Sequence, residues 1–252
     1  DLAARAVRNG KIDRIQAEAL GCLAAARTPL AARVFLDQVQ GCLSRSLRDV
    51  LESPPGHIAE KLGPLLATAP FGLALSKPPT VVLAGAANAG KSSLFNAFVG
   101  ADRAIVHDAP GTTRDPVDDL IAPGGIPIRL VDTAGWLGEC RAGGGFRLRP
   151  GESEGRSGGQ AADDGFDPAA AQAATALALA AAAAVRWVVD ATHPGPDTMR
   201  SLAASATGPS TWVFTKVDLL QPGTRNEEPG TPPAHRVSAL TGQGVSALAS
   251  SL

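Results

Sequence analysis

Two patterns of apolar spacing divide the chain. Up to about residue 69, apolar side chains recur three and four apart, as in Asp13-Arg14-Ile15-Gln16-Ala17-Glu18-Ala19-Leu20 and Val34-Phe35-Leu36-Asp37-Gln38-Val39. That spacing puts apolar residues on one face of a helix. Pro29, Pro54-Pro55 and Pro64 cut this region into pieces, and the stretch 70–79 reads as a linker. From Thr80 onward, short apolar runs alternate with helical segments, the pattern of a mostly parallel α/β sheet with helices on both faces. Strands are expected at 80–84, 126–131, 185–190, 211–215 and 235–237, with a weaker one near 117–122. Helices are expected at 91–99, where Gly100 closes the pattern, and at 168–184, 197–205 and 243–252. The Gly-, Arg- and Ser-rich segment 138–166 has almost no apolar periodicity and is expected to be a disordered insertion. The predicted organisation is a helical segment 1–69, a linker 70–79 and an α/β domain 80–252.

The first apolar run of the α/β region, Thr80 to Ala84, leads into Gly85-Ala86-Ala87-Asn88-Ala89-Gly90-Lys91-Ser92, a G-x-x-x-x-G-K-S sequence followed by a helical pattern. A strand, a glycine-rich turn and a helix N-terminus in that order wrap backbone N–H groups around phosphate oxygens. Asn88, Ala89, Gly90, Lys91, Ser92 and Ser93 are therefore phosphate-binding candidates, with Lys91 reaching the β- and γ-phosphates and the Ser92 hydroxyl binding Mg²⁺.

Four further stations follow in order. Gly111-Thr112-Thr113 precedes Arg114-Asp115 in a loop, where a hydroxyl can complete a Mg²⁺ shell or simply cap a turn. Asp132-Thr133-Ala134-Gly135 ends an apolar run; the carboxylate can hold Mg²⁺ through water and the Gly135 N–H can meet a γ-phosphate. Thr215-Lys216-Val217-Asp218 ends another run, and a carboxylate there matches the adjacent N1–H and N2–H₂ donors of guanine, or acts as an N-cap. Ser238-Ala239-Leu240 follows the last short run, where backbone N–H groups can support guanine O6. Each station lies at the C-terminal end of a predicted strand, where α/β sheets bind ligands.

Composition narrows the classes. The 252 residues are 44% hydrophobic and 19% charged with a net charge of −1, so no global basic field points to nucleic acid. Cys22, Cys42 and Cys140 have no metal-ligand spacing and are too few for a disulfide framework, which favours a reducing, cytoplasmic setting. The run from Ala169 to Ala184 is mostly alanine with Gln172 and Thr175 inside it, so it reads as a helix of a soluble protein and no membrane partner is expected.

Taken together, these motifs resemble the P-loop NTPase G domain of translation-factor-class small GTPases, of the TrmE-Era-EngA-like kind. Within that class the chain resembles the tRNA modification GTPase family MnmE, or TrmE. The likeness is carried by 88–97 in the phosphate loop and by 104–115, from Ala104-Ile105-Val106-His107 through Arg114-Asp115, as a switch I. It is also carried by the stretch from Arg5-Ala6-Val7-Arg8-Asn9-Gly10-Lys11-Ile12-Asp13 through Arg14-Ile15-Gln16-Ala17-Glu18-Ala19, which is similar to the start of that family's helical domain. The resemblance implies GTP hydrolysis with Mg²⁺ on Ser92 and Thr113, and a K⁺ ion held by Asn88, the backbone near Ala109 and Thr112. In that family K⁺ offsets transition-state charge as an arginine finger would. It implies GTP and GDP as ligands, a homodimer through switch I, and work with an MnmG-like partner on the wobble uridine of tRNA.

The chain departs from the family pattern in places. His107 stands where threonine is usual, and Thr215 replaces the asparagine of N-K-x-D. The water-orienting glutamate has no clear counterpart: Gly144 lies in that stretch, with Glu139 and Asp167 as the available acids. The 252 residues contain no counterpart of the family's folate-binding domain or its C-terminal C-x-G-K. Two alternatives follow: a GTP-controlled binding module with little hydrolysis, and an Era-like ribosome-assembly GTPase.

Overall fold

Capping residues in the first 79 positions set where its helices begin. The computed structural model describes residues 2–86, 88–102, 118–133, 138–140, 146–148, 178–193, 209–220 and 234–252. Five helices come first: α1 (Leu2–Arg8), α2 (Arg14–Ala24), α3 (Pro29–Val39), α4 (Cys42–Leu51) and α5 (Ile58–Ser76). At the start of α2, Asp13 Oδ1 accepts the Gln16 N–H at 2.8 Å and Gln16 Oε1 accepts the Asp13 N–H at 3.0 Å, a reciprocal capping box. At the start of α3, Thr28 Oγ1 accepts the Ala31 N–H at 3.1 Å, and Pro29 takes the first turn, where its missing N–H costs nothing. Gln16 Nε2 also donates to the Val39 carbonyl at 2.8 Å, tying α2 to the end of α3. Ala31, Phe35 and Leu75 form the buried centre of this unit.

The stretch expected to be a linker is shorter than the prolines suggest. Pro64 and Pro70 lie inside α5, which continues to Ser76. An interior proline costs a helix about 3 kcal/mol, but α5 carries Leu75 into the core beside Ala31 and Phe35, and that burial stabilises the last turns.

From Thr80 onward the chain is built on a sheet. Its strands are β1 (Thr80–Ala84), β2 (Asp118–Ile121), β3 (Ile128–Asp132), β6 (Ala184–Asp190), β7 (Ser210–Thr215) and β8 (Ala234–Arg236), in the spatial order β2-β3-β1-β6-β7-β8. The pairs β1–β3, β1–β6, β6–β7 and β7–β8 are all parallel. A separate antiparallel pair joins β4 (Gly138–Cys140) to β5 (Phe146–Leu148). Helix α6 (Lys91–Asp102) follows β1, and α7 (Val245–Ala249) closes the described chain.

Register explains the apolar runs. Val82, Val185, Trp187, Val189, Trp212 and Phe214 share one buried face, covered in part by Ala178, Leu179 and Ala182. Trp187 and Trp212 are paired across β6 and β7, with ring centroids 6.5 Å apart. The alternate residues Val81, Leu83, Leu130, Val188 and Val213 are buried on the other face. There α6 lies against β1 and packs with α7, and Leu94, Phe98 and Leu248 are fully buried. Strands buried on both faces read as continuous apolar runs because alternation would leave polar atoms inside.

Several boundaries differ from the sequence reading. Strand β3 starts at Ile128 instead of 126, and α6 runs through Gly100 to Asp102. Of the helix expected at 168–184, the described residues are helical at 178–181, and Ala184 already belongs to β6, where it pairs with Val81. The last helix is shorter than 243–252, because Gly242 (φ 77°) and Gly244 (φ 74°) hold left-handed conformations just before it. Within the segment expected to be disordered, β4 and β5 form a local antiparallel pair. The rest of 138–166, the helix expected at 197–205 and the loop 221–233 lie outside the described residues.

The chain divides into two compact units: described residues 2–79 with 120–128, and described residues 80–102, 118–119 and 129–252. The stretch 120–128 thus groups with the helices and not with the rest of 80–252. Within that first unit, Gly125 (φ 85°) comes so close to α3 that a Cβ would sit 3.2 Å from Leu30 Cβ. Among the described residues, no helix is long and apolar enough to cross a membrane.

Candidate nucleotide-binding site

In a parallel sheet every strand ends on the same edge, and that edge gathers most of the predicted stations. Beyond β1 the chain leads to β3 on one side and later to β6 on the other, which makes the β1–β6 boundary a switch point of the kind where α/β sheets open a crevice. The phosphate-loop sequence leaves β1 at that point. Gly85 passes so close to β6 that a Cβ would lie 2.2 Å from the Val188 carbonyl oxygen, so only glycine fits. Asn88 (φ 61°) and Gly90 (φ 91°) curl the loop through left-handed conformations.

Lys91 opens α6 and is buried. Its Nζ donates to the carbonyls of Gly85 at 3.1 Å and Ala86 at 2.8 Å, across the mouth of its own loop. Burial pushes the Lys91 ammonium below its ordinary pKa, and the negative charge of Asp132 works against that shift. Asp132 ends β3, and its buried Oδ1 has no hydrogen-bond partner among the described residues. A buried carboxylate oxygen without a partner is costly unless a cation or water engages it. Ser92 and Ser93 are exposed at the helix N-terminus, with Ala89 buried behind them. Thr133 has a different part: its Oγ1 donates to the Leu83 carbonyl at 2.8 Å, so the side chain ties the end of β3 to the end of β1.

Thr215 joins the phosphate loop to the strand before Asp218. Its buried hydroxyl lies 2.5 Å from the Ala89 carbonyl and 3.1 Å from that of Val189. A Cβ on Gly90 would sit 3.3 Å from the same hydroxyl, so loop and strand are in van der Waals contact. After it, Lys216 adopts a left-handed conformation (φ 57°), and the 3₁₀ turn Val217–Leu219 leaves Asp218 exposed. The Ser238 turn is joined to this one, with Val237 N–H donating to Phe214 O and Val217 N–H to Val237 O. Ser238 is fully buried; its N–H is taken by Gln243 O, and its Oγ accepts the Thr241 N–H at 3.2 Å. Leu240 is exposed and Ala239 partly so.

One participant was missed by the sequence reading. Asp190 ends β6 and its Oδ2 pairs with Lys216 Nζ at 2.6 Å, while Oδ1 accepts both the N–H and the hydroxyl of Thr192. Desolvation pushes the Asp190 carboxyl up, but the hydrogen bonds from Lys216 and Thr192 and the lysine charge outweigh it and hold the group below its ordinary value. The signal that could have found it is the one that found Asp132: an acid ending an apolar run, Val188-Val189-Asp190. Gly111, Thr112, Thr113, Ala109, His107, Ala134, Gly135, Gly144 and Asp167 lie outside the described residues, and Glu139 is described only as backbone of β4.

Residues 80–216 match the sequence profile of a family described as "50S ribosome-binding GTPase". The chain belongs to that family. It is accordingly a GTP-binding protein with a GTPase domain, and the mostly parallel sheet with its phosphate loop is the P-loop GTPase fold. It is 40% identical over 163 residues to the tRNA modification GTPase MnmE of Synechococcus sp. (strain JA-2-3B'a(2-13)), a match covering 54% of this chain and 36% of that protein. Against MnmE of Geobacillus thermodenitrificans (strain NG80-2) the identity is 38% over 161 residues, covering 52% and 35%. The chain thus spans little more than a third of the length of these relatives. Among solved structures, Era in complex with MgGDPNP and a segment of 16S ribosomal RNA overlays with a TM-score of 0.48 at 20% identity, covering 69% of this chain and 55% of that one.

Proposed function

We propose that this chain is the GTP-binding and GTP-hydrolysing part of an MnmE-type tRNA modification GTPase. The observation that carries the reading is the bond from the Thr215 hydroxyl to the Ala89 carbonyl, which fastens the base-reading strand to the phosphate loop. In this reading Gly90, Lys91, Ser92 and Ser93 hold the phosphates, Asp218 accepts from guanine N1–H and N2–H₂, and the turn at Ser238, Ala239 and Leu240 supports O6. On nucleotide entry the Lys91 ammonium exchanges the loop carbonyls for β- and γ-phosphate oxygens.

The residues fit a Mg²⁺ ion: Asp132 Oδ1 is buried without a hydrogen-bond partner among the described residues, and the Ser92 hydroxyl is accessible at the start of α6. Ser92 and Thr113 would hold it, Asp132 would act on it through water, and the ion would offset charge on the transferring phosphate. Asn88 would serve a K⁺ ion with Ala109 and Thr112, and the remaining switch roles fall to Gly111, Ala134 and Gly135, while Thr133 holds the end of β3 to β1. A cytoplasmic location, a homodimer through switch I, an MnmG-like partner and tRNA complete the proposal, all carried by the likeness to MnmE.

Base choice is tested with Asp218→Asn. An amide turns one acceptor into a donor, so preference moves from GTP toward xanthosine triphosphate; unchanged GTP affinity overturns the guanine assignment. Turnover compared in K⁺ and Na⁺ tests the potassium role, and equal rates overturn it.

A further inference from the structure

We infer that Asp190 is a positioning residue for base recognition: it holds the Lys216 ammonium away from Asp218, leaving that carboxylate free for guanine. The inference rests on the proposal that 215–218 reads the base. Asp190 and Thr215 are register partners at the ends of β6 and β7, so the acid stands beside the turn that presents Asp218. Both carboxylate oxygens are engaged, Oδ2 by Lys216 Nζ at 2.6 Å and Oδ1 by Thr192 N–H at 2.9 Å and its hydroxyl at 2.6 Å, so the group is fixed in place. The pair is partly shielded, with 20% of the Asp190 side chain and 37% of the Lys216 side chain exposed.

Lys216 is two residues from Asp218, and its left-handed backbone is the pivot of the turn. A long cation without a fixed partner is free to pair with a neighbouring carboxylate, and Asp218, two residues on in the same turn, is the group that must accept from guanine. Pairing with Asp190 removes this competition and locks the pivot. The sheet edge favours this pairing, because the β6–β7 register sets Asp190 beside Thr215, the residue before Lys216.

The experiment is a double-mutant cycle on the full chain, read as the dissociation constant of the fluorescent nucleotide mant-GDP. Asp190→Asn weakens binding about fivefold, the scale of one partly exposed ion pair. In a Lys216→Met background the same substitution changes affinity less than about twofold, because the competing cation is gone. Raising the salt to about 1 M, where the Debye length is about 3 Å, shrinks the Asp190→Asn loss. A loss of equal size in the Lys216→Met background, or one indifferent to salt, shows a merely structural effect and overturns the inference. If Asp190→Asn does not fold, Thr192→Val carries the test, with a smaller loss of the same sign expected and none overturning it. Wild-type protein that fails to bind mant-GDP overturns the proposed function as well; wild-type binding with Asp190→Asn unchanged overturns this inference alone.

Discussion

Replacing Thr215 with valine keeps the shape of the side chain and exchanges its hydroxyl for a methyl group. The hydroxyl lies 2.5 Å from the Ala89 carbonyl and 3.1 Å from that of Val189, all of it buried. A methyl carbon rests no closer than about 3.3 Å to a carbonyl oxygen, so the phosphate loop must retreat by about 0.8 Å. A buried carbonyl that loses its donor costs about 1–3 kcal/mol. We expect an unfolding free energy lower by about 2 kcal/mol in urea titrations. We also expect mant-GDP to bind about tenfold more weakly, equivalent to about 1.4 kcal/mol, because the displaced loop no longer meets the phosphates squarely. Thr215→Ser retains the hydroxyl and should recover most of both losses. A Thr215→Val protein that unfolds and binds like the wild type would refute the claim that this hydroxyl joins strand to loop.

Gly85→Ala places a Cβ 2.2 Å from the Val188 carbonyl oxygen, so it should cost at least about 2 kcal/mol of stability, seen as a lowered urea midpoint; an unchanged midpoint counts against the close approach of loop and β6. Asp132→Asn should abolish the tightening of mant-GTP binding by Mg²⁺ relative to EDTA, since the buried carboxylate is the charge that favours the ion; the same Mg²⁺-to-EDTA ratio as wild type excludes that role. Burial first, and then the Arg186 charge, hold His235 below its ordinary pKa, so the folded chain stays neutral there while the unfolded chain takes up a proton. Stability should therefore fall as the pH drops from about 7 to about 5, and His235→Gln should flatten that slope in urea titrations; an unaltered slope assigns the pH dependence elsewhere.

The phosphate loop and the Thr215-to-Asp218 turn could be expected from the chain alone, because each follows a largely buried apolar run, β1 and β7, whereas β3 and β8, which precede Asp132 and the Ser238 turn, carry exposed and half-buried residues. Strand β1 matched its expected bounds for the same reason. Asp190 was not recognised, since nothing next to it along the chain reveals its bond to Lys216, 26 residues on. Pro70 pointed to a linker, yet Leu75 finds its place in the core only if the helix continues to Ser76. Thr133 was expected among the phosphate-binding residues, but its hydroxyl ties β3 to β1, a use set by the neighbouring strand.

Local physics explains this division. Hydrophobic period, glycine placement and the choice of polar residues after each strand are properties of a few consecutive positions; by themselves they determined the α/β class and singled out the candidate phosphate and base stations. Strand order, register and the bonds made across the sheet join residues far apart in the chain, such as Thr215 with Ala89 and Lys216 with Asp190. Those partners exist only once β1, β6 and β7 lie side by side, so tertiary structure alone decided which polar groups hold the site and which hold the sheet.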